Sequence, residues 1–108
     1  MLGAIAGDVI GSRFEFNNHR SRDFELFLGE DSFFTDDTAL TVATAKWLLG
    51  DDDLAGVIIE FFNRYPHLSY GGSFYHWARS GGGEPYNSYG NGSAMRVSPV
   101  AYAARDEQ

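Results

Sequence analysis

The chain has 108 residues, 44% of them hydrophobic, and a formal charge of −7 from 15 acidic and 8 basic side chains. This length allows one domain at most, and the apolar content is enough to form a core. A single lysine and the acid excess exclude binding to nucleic acid duplexes or anionic membranes through clustered basic residues. The absence of cysteine excludes disulfides, zinc–thiolate sites and thiol nucleophiles, and it fits a cytoplasmic protein.

The amino-terminal third is predicted to be one helix followed by a long loop. Apolar residues from Leu2 to Ser12 recur at helical spacing, which predicts a helix buried on one side, and a glycine at every fourth position predicts a closely packed face. Asp8 interrupts the apolar run and no basic residue precedes it, so neither a secretory signal nor a membrane span is expected. Residues Phe16 to Phe34 show no period, which predicts a loop that forms a lid or rim.

Helices are predicted for most of the remaining chain. One runs from about Asp36 to Leu49 and stops at Gly50, and the next opens with three aspartates at Asp51–Asp53 and ends before Pro66. Because few residues join them, these two helices should pack as an antiparallel or steeply crossed pair. A short aromatic helix around Ser73–Arg79, a glycine-rich loop and a last helix from Ser93 to Gln108 complete the predicted elements. No segment alternates as a strand does, so the fold class is all-α.

The string Thr35-Asp36-Asp37-Thr38 has two interpretations. Its spacing alone favours a helix N-cap, with Thr35 as the capping residue and two acids in the first turn. Alternatively, a threonine oxygen and two adjacent carboxylates can bind a hard divalent cation, since oxygen ligands suit Mg²⁺, Mn²⁺ or Ca²⁺.

The glycine-rich segment Asn87–Arg96 also has two interpretations. It is either a flexible turn before a helix or a set of unpaired backbone N–H groups that bind phosphate without lysine. The nearby aromatic residues Phe74, Tyr86 and Tyr89 either stack on a base or ribose or pack in the core.

Five segments follow one another along the chain, namely Gly3 to Ser12, Phe14-Glu15, Phe34 to Thr38, Tyr70-Gly71-Gly72 and Ser88 to Arg96. Together they resemble the ordered amino-terminal motifs of the ADP-ribosylglycohydrolase family, which includes the dinitrogenase-reductase-activating glycohydrolases and the ADP-ribosyl-acceptor hydrolases. The resemblance spans nearly the whole chain, and its most specific parts are the threonine with paired aspartates and the Gly-Asn-Gly-Ser-Ala-Met-Arg string. It shifts the interpretation of Thr35–Asp37 from a cap to a metal site.

The resemblance implies an orthogonal helical bundle with a binuclear Mg²⁺ or Mn²⁺ site at the base of an ADP-ribose cleft. It implies that Thr35, Asp36 and Asp37 are metal ligands, that both aspartates also serve catalysis, and that Glu15 is the acid above the metals and the scissile ribose carbon. The residues that would contact the diphosphate and distal ribose are Gly71, Gly72 and Ser73 in one turn, and Ser88, Tyr89, Gly90, Asn91 and Gly92 in a loop. The family's second ligand cluster, an Asp-x-Asp-Thr string near the carboxyl end of a much longer chain, is missing. Asp51–Asp53 is the one comparable acidic run, and helix capping explains it.

The expected function is therefore metal-dependent hydrolysis of the ribosyl C1″ bond in an ADP-ribosylated protein or small ADP-ribose conjugate. Residues 1–108 would form the amino-terminal part of one incomplete domain, weak or inactive alone. Two alternatives stay open: a non-catalytic ADP-ribose-binding module, with the exposed apolar surface as a candidate route to self-association, and a structural relative such as the crystallin of this family. The sequence leaves the acceptor (arginine, serine, another conjugate or polymer) open.

Overall fold

The computed structural model describes residues 1–26 and 29–104, and within these ranges all regular structure is helical. The helices are α1 (Leu2–Gly11), α2 (Asp36–Leu49), α3 (Leu54–Arg64), α4 (Gly72–Arg79), α5 (Gly92–Met95) and α6 (Ser98–Ala103), with one 3-10 turn at Ser12–Phe14. The described residues contain no strand, which confirms the all-α prediction. None of the described helices is both long enough and apolar enough to cross a lipid bilayer.

The core lies between α2 and α3. Ala43 from α2 packs with Val57 and Phe61 from α3, and the partly buried rings of Trp47 and Tyr65 close the cluster. Helix α2 is central, because it also contacts α1, α5 and α6. The predicted packing of two consecutive helices is confirmed, since their apolar residues recur at helical spacing and the connection is short.

Both core helices begin at capping side chains. The hydroxyl of Thr35 accepts the backbone N–H of Asp37 at 3.1 Å, and Gly50 follows the last residue of α2, so both predicted ends are confirmed. Asp53 caps α3 by accepting the N–H of Gly56 at 2.9 Å. The prediction that all three aspartates lie in the first turn was wrong: an N-cap needs extended backbone, so Asp53 precedes the helix and the other two lie before it.

The predicted burial of one side of α1 is wrong. The helix itself is present, but none of its residues is buried and Leu2 is 83% exposed. A Cβ built on Gly3, Gly7 or Gly11 would meet no atom within 4 Å, so the glycine face is not closely packed. An apolar period indicates what a helix can bury, whereas actual burial requires neighbouring elements, and the described ones cover little of α1.

The long predicted helix from Ser93 to Gln108 is also wrong over the described residues. Helix α5 ends at Met95 and α6 begins at Ser98, so the helical conformation is interrupted at Arg96 and Val97. Pro99 lies in the first turn of α6, where its missing N–H costs nothing, but within a continuous helix its ring would clash with the preceding turn. Residues 105–108 of that prediction lie outside the described residues. The loop predicted for Phe16–Phe34 contains no helix or strand in its described part, as expected.

Candidate active site

A cleft of about 1190 Å³ lies between α1, the start of α2, and the segments around α4 and α5. Its lining includes every residue that the sequence analysis assigned to a site: Glu15, Thr35, Asp36, Asp37, Gly71, Gly72, Ser73, Ser88, Tyr89, Gly90, Asn91 and Gly92. Asp51, Asp52 and Asp53 are not part of this lining. The fold thus brings together four segments that are distant in sequence, while the chemical role of each residue remains a prediction.

The carboxylate of Asp8 links α1 to the first turn of α2. Its Oδ1 accepts the hydroxyl of Thr35 at 2.6 Å. Its Oδ2 accepts the N–H of Thr35 at 2.8 Å, and both the N–H (3.2 Å) and the hydroxyl (2.6 Å) of Thr38. Asp8 therefore receives four hydrogen bonds from the segment that carries the paired aspartates.

This role of Asp8 was not predicted from the sequence, where the residue was noted as an interruption of an apolar run and as part of the Gly3 to Ser12 segment, without a role of its own. One signal was available: Asp8 is the sole charged side chain within Leu2–Gly11. Asp8 is partly buried, and a partly buried carboxylate needs nearby hydrogen-bond donors because burial removes water from it.

Asp36 and Asp37 lie among other negative charges. Burial raises the pKa of Asp36; a hydrogen bond from the Ser69 hydroxyl (3.1 Å) opposes this change, and the charges of Glu15 and Asp8 add to it. Burial also raises the pKa of Asp37, and the carboxylates of Asp36 and Asp8 raise it further. The crowding of carboxylates means that a cation bound here would relieve their mutual repulsion.

The oxygen atoms at the start of α2 are of the kind that bind a hard cation. The Thr35 hydroxyl donates to Asp8 and accepts from the N–H of Asp37, which leaves one lone pair unused. Together with the carboxylate oxygens of Asp36 and Asp37, this gives only part of the six or so oxygens that Mg²⁺ or Mn²⁺ requires. Over residues 1–26 and 29–104, no three His, Cys, Asp or Glu side chains are grouped so as to hold a metal ion.

The two glycine-rich segments form another part of the lining. Gly71 is the N-cap residue of α4 and makes no side-chain capping bond, so the first N–H groups of this helix lack a side-chain acceptor. In the second segment, Ser88 accepts the N–H of Gly90 at 3.1 Å. Thr41 donates to the carbonyl of Met95 at 3.3 Å, which ties this segment to α2.

The aromatic residues near the cleft differ in their surroundings. The ring of Phe74 stacks on Tyr70 with centroids 5.2 Å apart, and it also contacts Phe62, so packing accounts for it. Tyr86 lies 6.1 Å from Trp77, centroid to centroid, on the cleft lining. Tyr89 is fully exposed and therefore available for stacking.

Comparison with known proteins agrees with the resemblance. The sequence model of the ADP-ribosylglycohydrolase family matches residues 1–108, and the chain belongs to this family. The chain is similar to the protein named "ADP-ribosylhydrolase ARH3" from Xenopus tropicalis, with 31% identity over 95% of this chain and 38% of the relative. It thus spans about two fifths of the length of this curated relative. No solved structure matches the chain at a significant level.

Proposed function

We propose that this chain forms the amino-terminal part of a metal-dependent hydrolase domain that cleaves the C1″ bond of an ADP-ribosylated protein or small ADP-ribose conjugate. One observation carries the proposal: the acidic start of α2, Glu15 and the two glycine-rich segments line a single cleft. Family membership and the similarity to the Xenopus tropicalis protein, which is named an ADP-ribosylhydrolase, support it. The cysteine-free composition is consistent with a cytoplasmic location, which stays a prediction.

The acidic side chains have separate roles in this proposal. Thr35, Asp36 and Asp37 would hold Mg²⁺ or Mn²⁺, and the bound cation would orient ribose hydroxyls and supply Lewis acidity. Glu15, exposed on the cleft lining beyond the 3-10 turn, orients a water or accepts its proton. Cleavage of a glycosidic bond develops positive charge at the anomeric carbon, which neighbouring carboxylates stabilise.

The glycine-rich segments bind the substrate's diphosphate in this proposal. The uncapped start of α4 at Gly71, Gly72 and Ser73 offers N–H groups to an anion, and the helix dipole favours negative charge there. The segment from Ser88 to Gly92 lies across the same cleft and adds hydroxyl, amide and backbone donors. An acidic chain can therefore bind a diphosphate without a cluster of lysines.

The exposed surface supports the proposal that residues 1–108 are one part of a larger domain. The accessible surface is 8080 Å², whereas a folded monomer of 12.0 kDa exposes about 6000 Å². This excess accessible surface is comparable to the area that is buried in a permanent, largely apolar interface, so it could be covered by further polypeptide. That polypeptide would also supply the oxygen ligands that complete the coordination of the cations.

A direct test measures Mn²⁺ binding by titration calorimetry and ADP-ribose release from ADP-ribosylated arginine and serine peptides. Both the chain and the longest polypeptide that its gene encodes are assayed. Asp36→Asn is expected to abolish metal binding and release together, because it removes a charged ligand. Asp53→Asn, which alters a helix cap outside the cleft, is the matched control and keeps both activities. Metal-dependent release by Asp36→Asn would contradict the assignment.

ADP-ribose binding without hydrolysis is a second candidate function. The uncapped start of α4 and the exposed ring of Tyr89 on the cleft lining favour it, because both can contact ADP-ribose without a metal ion. Binding of free ADP-ribose, with no release from either peptide by either polypeptide, would select this alternative.

A further inference from the structure

We infer that Asp8 is a positioning residue, which holds the hydroxyl of Thr35 so that its free lone pair faces a bound cation. The inference rests on the proposed metal site and adds to it a residue of α1 that is not one of its ligands. Four hydrogen bonds from Thr35 and Thr38 to one carboxylate carry it.

Asp8 fixes the position of the hydroxyl proton of Thr35. An ionised carboxylate only accepts hydrogen bonds, so at 2.6 Å the hydroxyl of Thr35 must donate its proton to Oδ1 of Asp8. The same hydroxyl oxygen accepts the N–H of Asp37 at 3.1 Å. One lone pair then remains for a cation. Without Asp8 the proton is free to rotate toward the cleft, where it would compete with a cation for the oxygen.

Asp8 also bonds Thr38, one helical turn further along α2. Residues three apart lie on the same side of a helix, so Thr35 and Thr38 can reach one carboxylate together. Both the N–H and the hydroxyl of Thr38 donate to Oδ2 of Asp8. These bonds fix the rotation of the first turn of α2 and with it the positions of Asp36 and Asp37, which lie between the two threonines.

The number of hydrogen bonds that each carboxylate accepts distinguishes Asp8 from the proposed metal ligand Asp36. Within the described residues, Asp36 accepts one side-chain hydrogen bond, from Ser69, and keeps most of its acceptor capacity for a cation. Asp8 instead accepts four hydrogen bonds from Thr35 and Thr38, three of them on Oδ2, so these donors occupy most of its acceptor capacity. Carboxylates that orient a ligand in this way contribute to metal affinity without contacting the metal.

The experiment measures the binding of Mn²⁺ alone by electron paramagnetic resonance, in the chain and in the longest polypeptide that its gene encodes. Asp8→Asn keeps the size of the side chain but places an amide donor against threonine donors, so we expect Mn²⁺ affinity to fall about 10- to 100-fold with unchanged helical circular dichroism. Thr35→Val should also lower the affinity, and the double variant should lose less than the sum of the two single losses, because Asp8 acts in part through that hydroxyl.

Three further measurements complete the test. Asp53→Asn, another aspartate that accepts hydrogen bonds at a helix start, is the matched control and should keep the Mn²⁺ affinity within about two-fold. In the metal-free chain, Asp8→Asn should increase amide hydrogen exchange at Thr35 and Thr38. Asp8→Glu keeps the charge and should restore part of the lost affinity.

The outcomes separate the inference from the proposed function. Equal Mn²⁺ affinity in Asp8→Asn, or additive losses in the double variant, overturns the role of Asp8 alone. Loss of helical signal in both Asp8→Asn and Asp8→Glu shows that Asp8 maintains the fold and also overturns it. Absence of Mn²⁺ binding by both the unaltered chain and the unaltered longest polypeptide contradicts the proposed metal site, and the inference falls with it.

Discussion

Tyr70 illustrates how the acidic cleft affects a neighbouring residue. Its hydroxyl donates to the carbonyl of Tyr65 at 3.0 Å, and burial together with the negative charge of Asp36 raises its pKa to about 12. An unfolded chain releases this proton near pH 10. Between these two pH values the folded chain holds a proton that the unfolded chain has lost, so the stabilisation from Tyr70 decreases as the pH rises through this window.

A spectrophotometric titration tests this prediction. Ultraviolet absorbance of tyrosinate should show a component that ionises near pH 12, and Tyr70→Phe should remove it. Tyr70→Phe should also flatten the fall in the free energy of unfolding between about pH 10 and pH 12. Tyr102→Phe, at an exposed position, is the control and should keep the absorbance change near pH 12. If Tyr70→Phe also keeps this change, the assignment to Tyr70 is refuted.

Sequence analysis identifies site residues when their chemistry is local. Thr35, Asp36 and Asp37 drew attention as a candidate site because they are adjacent and begin a helix, although the family resemblance was needed to prefer a metal site over a cap. Asp8 and Ser69 were not, because their hydrogen-bonding partners lie 27 to 33 positions away and no spacing rule links them. For the segment Asn87–Arg96 the residues left a turn and a phosphate site open, and the family resemblance was needed to choose between them and to assign a role to Gly71, Gly72 and Ser73.

At the level of elements, the end of α4 depends on two glycines. The N–H of Gly81 donates to the carbonyl of Ala78, and that of Gly82 donates to Trp77, which is the Schellman pattern of a helix end. Both glycines have positive φ, +90° and +64°, which L side chains rarely adopt. A Cβ on Gly82 would lie 2.4 Å from Cδ1 of Ile59 and 3.0 Å from the Trp77 ring, whereas one on Gly81 would meet nothing within 4 Å.

Alanine substitutions at these two positions should therefore differ. Gly81→Ala carries only the backbone penalty, about 1 kcal/mol in the free energy of unfolding. Gly82→Ala adds steric overlap of about 1–3 kcal/mol and should be clearly less stable. Urea unfolding followed by circular dichroism measures both values, and equal losses would contradict the steric explanation.

Some helix features that depend on neighbouring residues were predicted correctly, whereas the burial of α1, which depends on contacts with distant parts of the chain, was not. The ends of α2 were predicted correctly because Thr35 and Gly50 act within one turn. The break between α5 and α6 was missed because residues 93–108 were predicted as one helix although Pro99 lies within them. The burial of α1 was wrong because it depends on contacts with other elements, which periodicity cannot supply.

At the level of the whole molecule, apolar side chains remain exposed on several elements. Leu2 on α1, Leu49 at the end of α2 and Tyr102 on α6 are at least 78% exposed. The radius of gyration is 15.2 Å, whereas a compact domain of this length has about 13 Å. Both observations agree with the surface excess and indicate that much of the exterior is suited to burial.

We expect the isolated chain to associate reversibly at high concentration. Sedimentation velocity over a range of concentrations should show masses above 12.0 kDa, and the chain should enhance the fluorescence of an apolar dye. Leu2→Asp should weaken association because it places a charge in an exposed apolar position. A constant mass of 12.0 kDa without dye binding would argue against an association surface.

The long loop is closed at its base, which affects how it can evolve. Asp8 bonds Thr35, and the Ser12 hydroxyl accepts the N–H of Phe33 at 3.1 Å, so both ends of the intervening segment are fixed next to each other. Doubling the length of such a loop costs only about 0.6 kcal/mol of closure entropy. Insertions and deletions in this loop are therefore tolerated at little cost in stability, while Asp8 and Thr35 at its base stay in register.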